Sequence, residues 1–308
     1  GRRKAAYLKR GVHRLVQCKR LTQQKGELTT LTSIQPVSSQ RSIDAELRAI
    51  RWRVAVSDLD DTLLQPDGSI SPRTEMALRA WLESGRRFVV ATGRPPRGVG
   101  ERLPGFLQQI PWICYNGAEI RLHGEVIYRR FIPEATLNAL VECVLDDFPD
   151  TTIGIELDDL LWLNKPRSRD IGNPHHRIAD LRTVAHLPTA KVLIFSERLD
   201  VLMAALEPMP EGVRLMPSGR YPFVQLMAAE VDKATALRHL MDAWGESLEN
   251  VVAFGDDVND IDLLRVAGLG VAVANAFHGA LDAADRVAPA NVEDGVAVVL
   301  EELMASDH

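Results

Sequence analysis

The sequence predicts an α/β protein whose core is a doubly wound, Rossmann-like parallel sheet, interrupted by a smaller α/β domain. Three observations lead to this prediction. Short β-prone apolar runs alternate with helix-like segments from residue 53 onward. Several of these runs end in polar clusters, as strands of open parallel sheets do at their ligand-binding edge. The same rhythm returns from Lys233, whereas no run between the two halves ends in an acidic cluster.

The first half of the core is predicted to contain three strands joined by helical segments. The strands are expected at residues 53–57, 87–91 and 111–115. Ser71 followed by Pro72 is typical of an N-cap with proline in the first helical turn, and Gly85 is typical of a helix end. We therefore expect one helix between these residues and a second helical segment over residues 99–107.

The second half of the core is predicted to begin with a helix at Lys233. Further elements are expected as strands at 250–254 and 269–273, a helix through Leu263 and Leu264, and a last helix near 296–304. The segment between the halves carries apolar stretches separated by prolines and charges. We therefore expect a core formed by residues 52–130 and 221–308, with an inserted α/β domain at residues 131–220.

The first 51 residues differ in composition from the rest of the chain. They hold 12 Lys/Arg and 3 Asp/Glu, a balance of +9, which leaves 24 basic and 39 acidic residues and a balance of −15 elsewhere. A basic segment without a sustained apolar pattern is expected to be a disordered, solvated extension. An organellar transit segment and a nucleic-acid-binding arm stay open as alternatives.

Composition excludes several classes of protein. Apolar residues make up 46% and charged residues 25% of the chain, as in soluble globular proteins. No apolar run approaches the roughly 18 residues of a membrane span. Cys18, Cys114 and Cys143 are too scattered for a disulfide framework or a zinc site. We expect a cytoplasmic protein without a membrane partner, and a core without a nucleic-acid partner; the oligomeric state stays open.

Acidic residues follow two of the predicted core strands. Asp58 and Asp60 come after the first strand, and Asp256 comes after the strand at 250–254. Like charges within a few ångströms cannot all stay ionised unless a cation joins them, and hard carboxylate oxygens favour Mg²⁺. A carboxylate beside Mg²⁺ is able to attack phosphorus and form an aspartyl-phosphate. A second acid two residues later is able to protonate the leaving oxygen and then activate water.

Four other residues have side chains or backbone groups that suit a phosphoryl group. Thr92 offers a hydroxyl, and Gly93 offers a backbone N–H on a sharp turn after the second strand. Lys233 offers a positive charge that balances developing oxyanions. Asn259 offers an amide for a phosphate oxygen or a hydroxyl. These four groups, together with the acidic residues, favour phosphoryl chemistry on a small phosphorylated substrate.

The ordered motifs resemble those of the haloacid-dehalogenase-like (HAD) phosphatase superfamily, and most closely its Cof-type group, in which an α/β cap is inserted between the second and third motifs. The motifs are Asp58-Leu59-Asp60-Asp61-Thr62, Ala91-Thr92-Gly93-Arg94, Lys233-Ala234-Thr235 and Gly255-Asp256-Asp257-Val258-Asn259-Asp260. Asn116-Gly117-Ala118 and the stretch 291–296 resemble further parts of that group. The resemblance covers about residues 53–305 and leaves out the basic extension.

The resemblance implies a role for each matched position. Asp58 is expected to be the nucleophile and a Mg²⁺ ligand. Asp60 is expected to be the general acid/base, with its backbone carbonyl also on the metal. Asp256 is expected to ligate Mg²⁺, and Asp260 to support the metal shell. The resemblance also implies that Thr92, Gly93, Lys233 and Asn259 bind the phosphoryl group or the substrate.

The resemblance implies a Mg²⁺-dependent phosphomonoester hydrolase that works through an aspartyl-phosphate. Sugar phosphates are the substrates expected for the group, and nucleotide and cofactor phosphates stay open. A phosphotransferase or phosphosugar mutase on the same core is the main alternative. A non-enzymatic receiver-like module also uses Asp, Thr and Lys, but it has no cap and no acid two positions after its phospho-acceptor.

Overall fold

The computed structural model describes residues 51–167, 172–196, 198–207, 209–217 and 223–306. Apart from Arg51, the predicted basic extension lies outside the described residues. The described chain divides into two compact units. The larger contains residues 51–94, 98–126 and 232–306, and the smaller contains residues 95–97 and most of 127–231.

The elements alternate along the chain as the sequence pattern predicts. The strands before the smaller unit are β1 (Val54–Ser57), β2 (Arg87–Ala91), β3 (Trp112–Cys114), β4 (Glu119–Leu122) and β5 (Glu125–Arg129). The first helices are α1 (Pro72–Glu83) and α2 (Pro96–Gly100). After the smaller unit come α5 (Lys233–Trp244), β12 (Val251–Gly255), α6 (Ile261–Val266), β13 (Leu269–Val273), α7 (His278–Ala283), β14 (Arg286–Ala288) and α8 (Gly295–Ser306).

One eight-stranded sheet has the order β14-β13-β12-β1-β2-β3-β4-β5. The six strands from β14 to β3 pair in parallel, and β3 pairs with β4 in the antiparallel sense. Ser57, the last residue of β1, aligns with Phe254 on one side and with Val90 on the other. The carboxyl ends of β12, β1 and β2 therefore lie side by side at one edge of the sheet.

Apolar burial explains why the central strands read as nearly continuous hydrophobic runs. Val54, Ala55 and Val56 have no exposed surface, and the strand β12 is buried along its whole length. Strands of a parallel sheet are covered on both faces, so no polar alternation is expected in them. These observations confirm the predicted doubly wound α/β fold.

The helix α1 illustrates how local signals set an element's bounds. The Ser71 hydroxyl accepts a hydrogen bond from the Thr74 N–H at 3.0 Å, as an N-cap does, and Pro72 occupies the first turn. Leu78 and Trp81 are fully buried on one face. Gly85 follows the helix with a φ of 83°, a left-handed conformation that glycine adopts without a steric penalty.

The smaller unit contains six strands, which are β6 (Thr152–Leu157), β7 (Leu160–Leu163), β8 (His176–Ile178), β9 (Lys191–Phe195), β10 (Val213–Pro217) and β11 (Phe223–Ala228). They form one sheet with the order β10-β11-β9-β6-β7-β8. Its helices are α3 (Glu134–Asp147) and α4 (Leu199–Ala205). Ile153, Ile155, Val192 and Ile194 belong to the same buried apolar cluster as Leu140 of α3.

Two details differ from the expectations. The strand β11 pairs with β9 and β10, so the smaller sheet extends past the expected boundary after residue 220. The segment 99–107 is not one helix: α2 ends at Gly100, and a 3₁₀ turn follows at Gly105–Leu107. Pro104 lacks the N–H that a continuous helix needs there.

Across the described residues, no helix combines the length and apolar character needed to cross a membrane.

Candidate active site

Three neighbouring strands of the larger sheet deliver chemical groups to its carboxyl edge. Asp58 follows β1, Thr92 follows β2, and Asp256 follows β12. The Asp58 N–H donates to the Phe254 carbonyl at 3.0 Å and so continues the strand pairing by one residue. Ligands bind outside the carboxyl ends of strands in open α/β sheets. This edge is therefore the candidate active site.

A buried carboxylate cluster lies at the centre of the site. Asp58, Asp256 and Asp260 each place a carboxylate oxygen within 4.8 Å of the others. Lys233, at the start of α5, donates from Nζ to Asp58 Oδ1 and to Asp260 Oδ1, both at 2.6 Å. The Lys233 side chain has no exposed surface. One ammonium thus balances part of the charge of three carboxylates.

Asp260 organises the loop that follows β12. Its Oδ2 accepts hydrogen bonds from the N–H groups of Asp256 and Asp257, both at 3.1 Å. Its side chain lies against Gly255, where a Cβ would overlap the Asp260 side chain. Glycine at position 255 therefore allows the loop to fold around the Asp260 carboxylate, and Asp256 is held beside Asp58.

The turn after Asp58 is fixed by contacts with other loops. Thr62 Oγ1 donates to Asp256 Oδ1 at 2.9 Å, which joins the first and fourth motifs directly. Asp61 has a φ of 58°, in the left-handed region, and its carbonyl accepts from Asn275 Nδ2 at 2.7 Å. These bonds hold the residues after the first strand in a tight turn, and not in a continuation of the extended chain.

The Asp60 carboxylate is bound away from the buried cluster. Arg94 donates to both of its oxygens, from Nε at 2.7 Å and from Nη2 at 2.5 Å. The Asp60 side chain is 47% exposed, whereas that of Asp58 is 9% exposed. The two acids of the first motif thus occupy different environments, one accessible and one buried.

The groups expected to bind phosphate surround the end of β2. Thr92 is buried, and its hydroxyl oxygen accepts from the Arg94 N–H at 3.2 Å, which leaves its own hydrogen for another acceptor. Gly93 follows Thr92 in the same turn. Asn259 lies in the loop after β12, and its Nδ2 donates to Oδ1 of Asn116, in the turn after β3, at 2.9 Å.

Burial and the neighbouring charges together shift the pKa values of the cluster. It raises the pKa of the Asp58 carboxyl well above its ordinary value; Lys233 opposes this shift, whereas Asp260 and Asp256 add to it. Burial alone would lower the pKa of the Lys233 ammonium. The nearby carboxylates of Asp260 and Asp58 outweigh that effect, so the pKa of Lys233 is raised and the amine is charged.

The donor set fits a divalent cation. Three carboxylates and one ammonium carry a net charge of −2 when all four groups are ionised. Mg²⁺ sites typically use one or two carboxylates and complete the shell with water and phosphate oxygens, and this cluster supplies enough carboxylates for that. A cation bound there would favour the ionised form of Asp58 and so oppose the effects of burial and of repulsion by Asp260 and Asp256, which raise its pKa.

The structure brings together most of the residues that the sequence predicts for the site. Asp58, Asp256, Asp260 and Lys233 share one cluster, and Asn259 lies on the same loop as Asp256. The Asp60 carboxylate lies outside the cluster. The sequence patterns indicate no role for Thr62, Arg94 or Asn116, although each lies inside one of the motifs that carry the resemblance.

Comparison with known proteins places the chain among hydrolases. A sequence model of the family described as haloacid dehalogenase-like hydrolase matches residues 55–300. A phosphoglycolate phosphatase of Natronomonas pharaonis is 33% identical over 248 residues, which cover 79% of this chain and 94% of that protein. A 5-amino-6-(5-phospho-D-ribitylamino)uracil phosphatase of Bacillus subtilis is 25% identical over 256 residues, covering 80% and 95%.

A solved structure shows the same fold over nearly its full length. The crystal structure of a haloacid dehalogenase-like hydrolase from Bacteroides thetaiotaomicron superimposes with a TM-score of 0.72 and 28% sequence identity. The match covers 82% of this chain and 99% of the other.

Replacing Lys233 with methionine tests the charge balance of the cluster. Met fills similar space but leaves the buried carboxylates without their ammonium, and we expect a loss of about 3–5 kcal/mol in the free energy of unfolding in metal-free buffer. Where folding raises the pKa of a carboxyl, the free energy of unfolding falls as pH rises above the unfolded pKa of about 4, because the folded state resists ionisation of that carboxyl. The deficit of Lys233→Met should therefore grow from pH 4.5 to pH 8 in urea titrations.

Lys165→Met is the matched control, since among the described residues Lys165 has one hydrogen bond, to the Pro149 carbonyl at 3.2 Å near the surface, and no ion pair. Its deficit should stay within about 0.5 kcal/mol at every pH. A Lys233→Met protein with a small, pH-independent deficit would show that the ammonium does not balance the carboxylates.

Proposed function

The chain belongs to the haloacid dehalogenase-like hydrolase family and is a phosphatase of that family; on this premise we propose that it is a Mg²⁺-dependent phosphomonoester hydrolase that forms an aspartyl-phosphate on Asp58. The observation that carries the proposal is the buried contact of Asp58 with Lys233 beside two further carboxylates. A carboxylate held by a fixed ammonium next to a cation-binding cluster is placed to attack a phosphoryl group.

The reaction proceeds in two steps on phosphorus. In the first, an Asp58 carboxylate oxygen forms a bond to phosphorus while the bond to the ester oxygen breaks, and Asp60 gives its proton to that leaving oxygen. In the second, water attacks phosphorus and returns its proton to Asp60. The bond to Asp58 then breaks, and inorganic phosphate leaves with the enzyme restored.

The different environments of the two acids support this division of roles. Asp58 is buried and fixed by Lys233, which suits a nucleophile that must keep one orientation. Asp60 is half-exposed, which suits a group that exchanges its proton with a leaving group and with water. Its carboxylate pairs with Arg94 and has to leave that pair before it meets the ester oxygen.

The chain's remaining polar groups stabilise the phosphoryl oxygens. Thr92, Gly93 and Asn259 supply donors at the end of β2 and in the loop after β12, and Lys233 supplies a fixed charge. Fixed donors are effective because they do not have to reorganise while negative charge develops. Mg²⁺, held by Asp58, Asp256 and the Asp60 backbone carbonyl with Asp260 in support, would add positive charge next to the transferred group.

We propose small phosphorylated metabolites such as sugar phosphates as substrates. The names of the Natronomonas and Bacillus relatives give phosphoglycolate and a phosphorylated ribitylaminouracil as their substrates, and both are small phosphomonoesters. A phosphotransferase or mutase would use the same groups and differ only in the acceptor. Release of inorganic phosphate in water, over many turnovers and without an added sugar, would distinguish the hydrolase from these two.

The nucleophile is tested with Asp58→Asn. The variant keeps the size of the side chain but removes its attacking charge, so turnover of an aryl phosphate should fall by at least about 10³-fold. Asp242→Asn is the control, because Asp242 is exposed on α5 of the same unit, and it should retain wild-type turnover. A homogeneous Asp58→Asn preparation with near-wild-type rates would refute the assignment.

The metal requirement is tested by chelation and replacement. Activity should disappear in EDTA and return with Mg²⁺. Ca²⁺ should restore little, because it prefers more ligands at longer distances. Asp256→Asn should raise the Mg²⁺ concentration needed for half-maximal activity, and Mg²⁺ should stabilise the wild type more than this variant against heat. Full activity in a verified metal-free preparation would contradict the proposal.

The acid/base role is tested with Asp60→Asn, which keeps the backbone carbonyl. An ester with a poor leaving group needs a proton on the departing oxygen, whereas an aryl phosphate needs little help. In single-turnover measurements, phosphoryl transfer from a sugar phosphate should fall by roughly 10²–10⁴-fold, and transfer from the aryl phosphate should fall far less. Equal fractional losses for the two esters would mean that Asp60 is not the acid.

A further inference from the structure

The turn after β3 has an unusual backbone conformation. Tyr115, Asn116 and Gly117 have φ angles of 52°, 56° and 107°, so three consecutive residues lie in the left-handed region. For tyrosine and asparagine this conformation is uncommon and costs free energy. All three residues are buried. Such a turn persists only where contacts with the surrounding residues stabilise it.

The second motif and the residue before Lys233 fix this turn through their backbones. The Tyr115 N–H donates to the Arg94 carbonyl at 3.0 Å, and the Asn116 N–H donates to the Thr92 carbonyl at 2.9 Å. Gly117 lies so close to the start of α5 that a Cβ would overlap the Asp232 carbonyl. The turn is thereby fixed against the second motif and against the residue that precedes Lys233.

The Asn116 side chain contacts two more groups of the proposed phosphate site. Its Oδ1 accepts from Asn259 Nδ2 at 2.9 Å. A Cβ added to Gly93 would lie 2.9 Å from the same Oδ1, so the carboxamide packs directly over the Gly93 backbone. Asn116 is 1% exposed. The Asn116 carboxamide is therefore buried and held between the Asn259 side chain and the Gly93 backbone.

We propose that Asn116 is a positioning residue that orients the Asn259 carboxamide toward the phosphoryl group; this inference rests on the proposed function. An amide nitrogen has two N–H groups in a plane. When one is bound to Asn116 Oδ1, the direction of the other is fixed. Without that acceptor the terminal torsion of asparagine is broad. Phosphate oxygens would then have to order the Asn259 side chain during binding, which weakens binding and slows transfer.

The left-handed φ of Asn116 allows its side chain and its backbone to be tested separately. Glycine adopts this conformation without the steric penalty that alanine would meet. Asn116→Gly therefore removes the carboxamide and keeps the turn. His123→Gly is the matched control: His123 also has a left-handed φ, of 53°, but it is exposed in the loop between β4 and β5, away from the carboxyl edge.

The experiment is a double-mutant cycle with Asn116→Gly, Asn259→Ala and the two combined, in the full chain. Calorimetry with inorganic phosphate in Mg²⁺ gives affinity, and steady-state kinetics on an aryl phosphate gives kcat/KM. Asn116→Gly should lower both about tenfold, as loss of one ordering hydrogen bond does. In the Asn259→Ala background, the same change should have no further effect. His123→Gly should match the wild type in both measurements.

An Asn116→Gly effect of the same size in both backgrounds would overturn the proposal, because Asn116 would then act independently of Asn259. Wild-type values for Asn116→Gly, or for Asn259→Ala, would overturn it as well. Failure of the proposed function looks different: the wild type would bind phosphate but release none from any ester. The affinity cycle still decides the role of Asn116 in that case, and a wild type that binds no phosphate contradicts the inference.

Discussion

The charge balance around Lys233 is the constraint on which the rest of the site depends. Three carboxylates lie within 4.8 Å of one another in a buried place, and one ammonium bridges two of them. Taking ions out of water is costly unless each finds a partner of opposite charge with good geometry. Lys233 supplies that partner for two of the carboxylates, and the charge that remains favours either a bound cation or a protonated carboxyl. Burying this cluster lowers the stability of the fold, and it places the carboxylates where they can take part in chemistry.

The fold meets this constraint by bringing together distant parts of the chain. Asp58 and Lys233 are 175 residues apart in sequence, and Thr62 and Asp256 are 194 apart. The parallel pairing of β1 with β12 places Asp58 and Asp256 at one edge. The start of α5 supplies the ammonium, and Gly117 and Gly255 permit the close backbone and side-chain approaches around it. Most of the smaller unit lies between Asp58 and Lys233 in sequence, yet their side chains are within hydrogen-bond distance.

Sequence patterns predicted the features that depend on strand ends. A parallel sheet brings the residues after β1, β2 and β12 to one edge, independently of the conformation of the loops. Asp58 and Asp256 are therefore expected to lie together. Patterns did not predict which side chains pair within the loops. The bidentate Arg94–Asp60 contact and the Asn116–Asn259 contact depend on left-handed turns and side-chain rotamers, for which a single sequence carries little signal. The pairing of β11 with β9 and β10 was missed because a boundary drawn from composition cannot detect a strand that crosses it.

The central claim is that Asp58 carries the phosphoryl group during turnover. Its most direct test is rapid acid quenching of the Mg²⁺-loaded wild type during a single turnover of an aryl phosphate, followed by peptide mass spectrometry. The peptide that contains Asp58 should gain the mass of one phosphoryl group at early times. It should lose that mass as free phosphate appears, and hydroxylamine should remove it, as expected for an acyl phosphate. Phosphate release at full rate with the label on another residue, or with no labelled peptide at any quench time, would contradict the account.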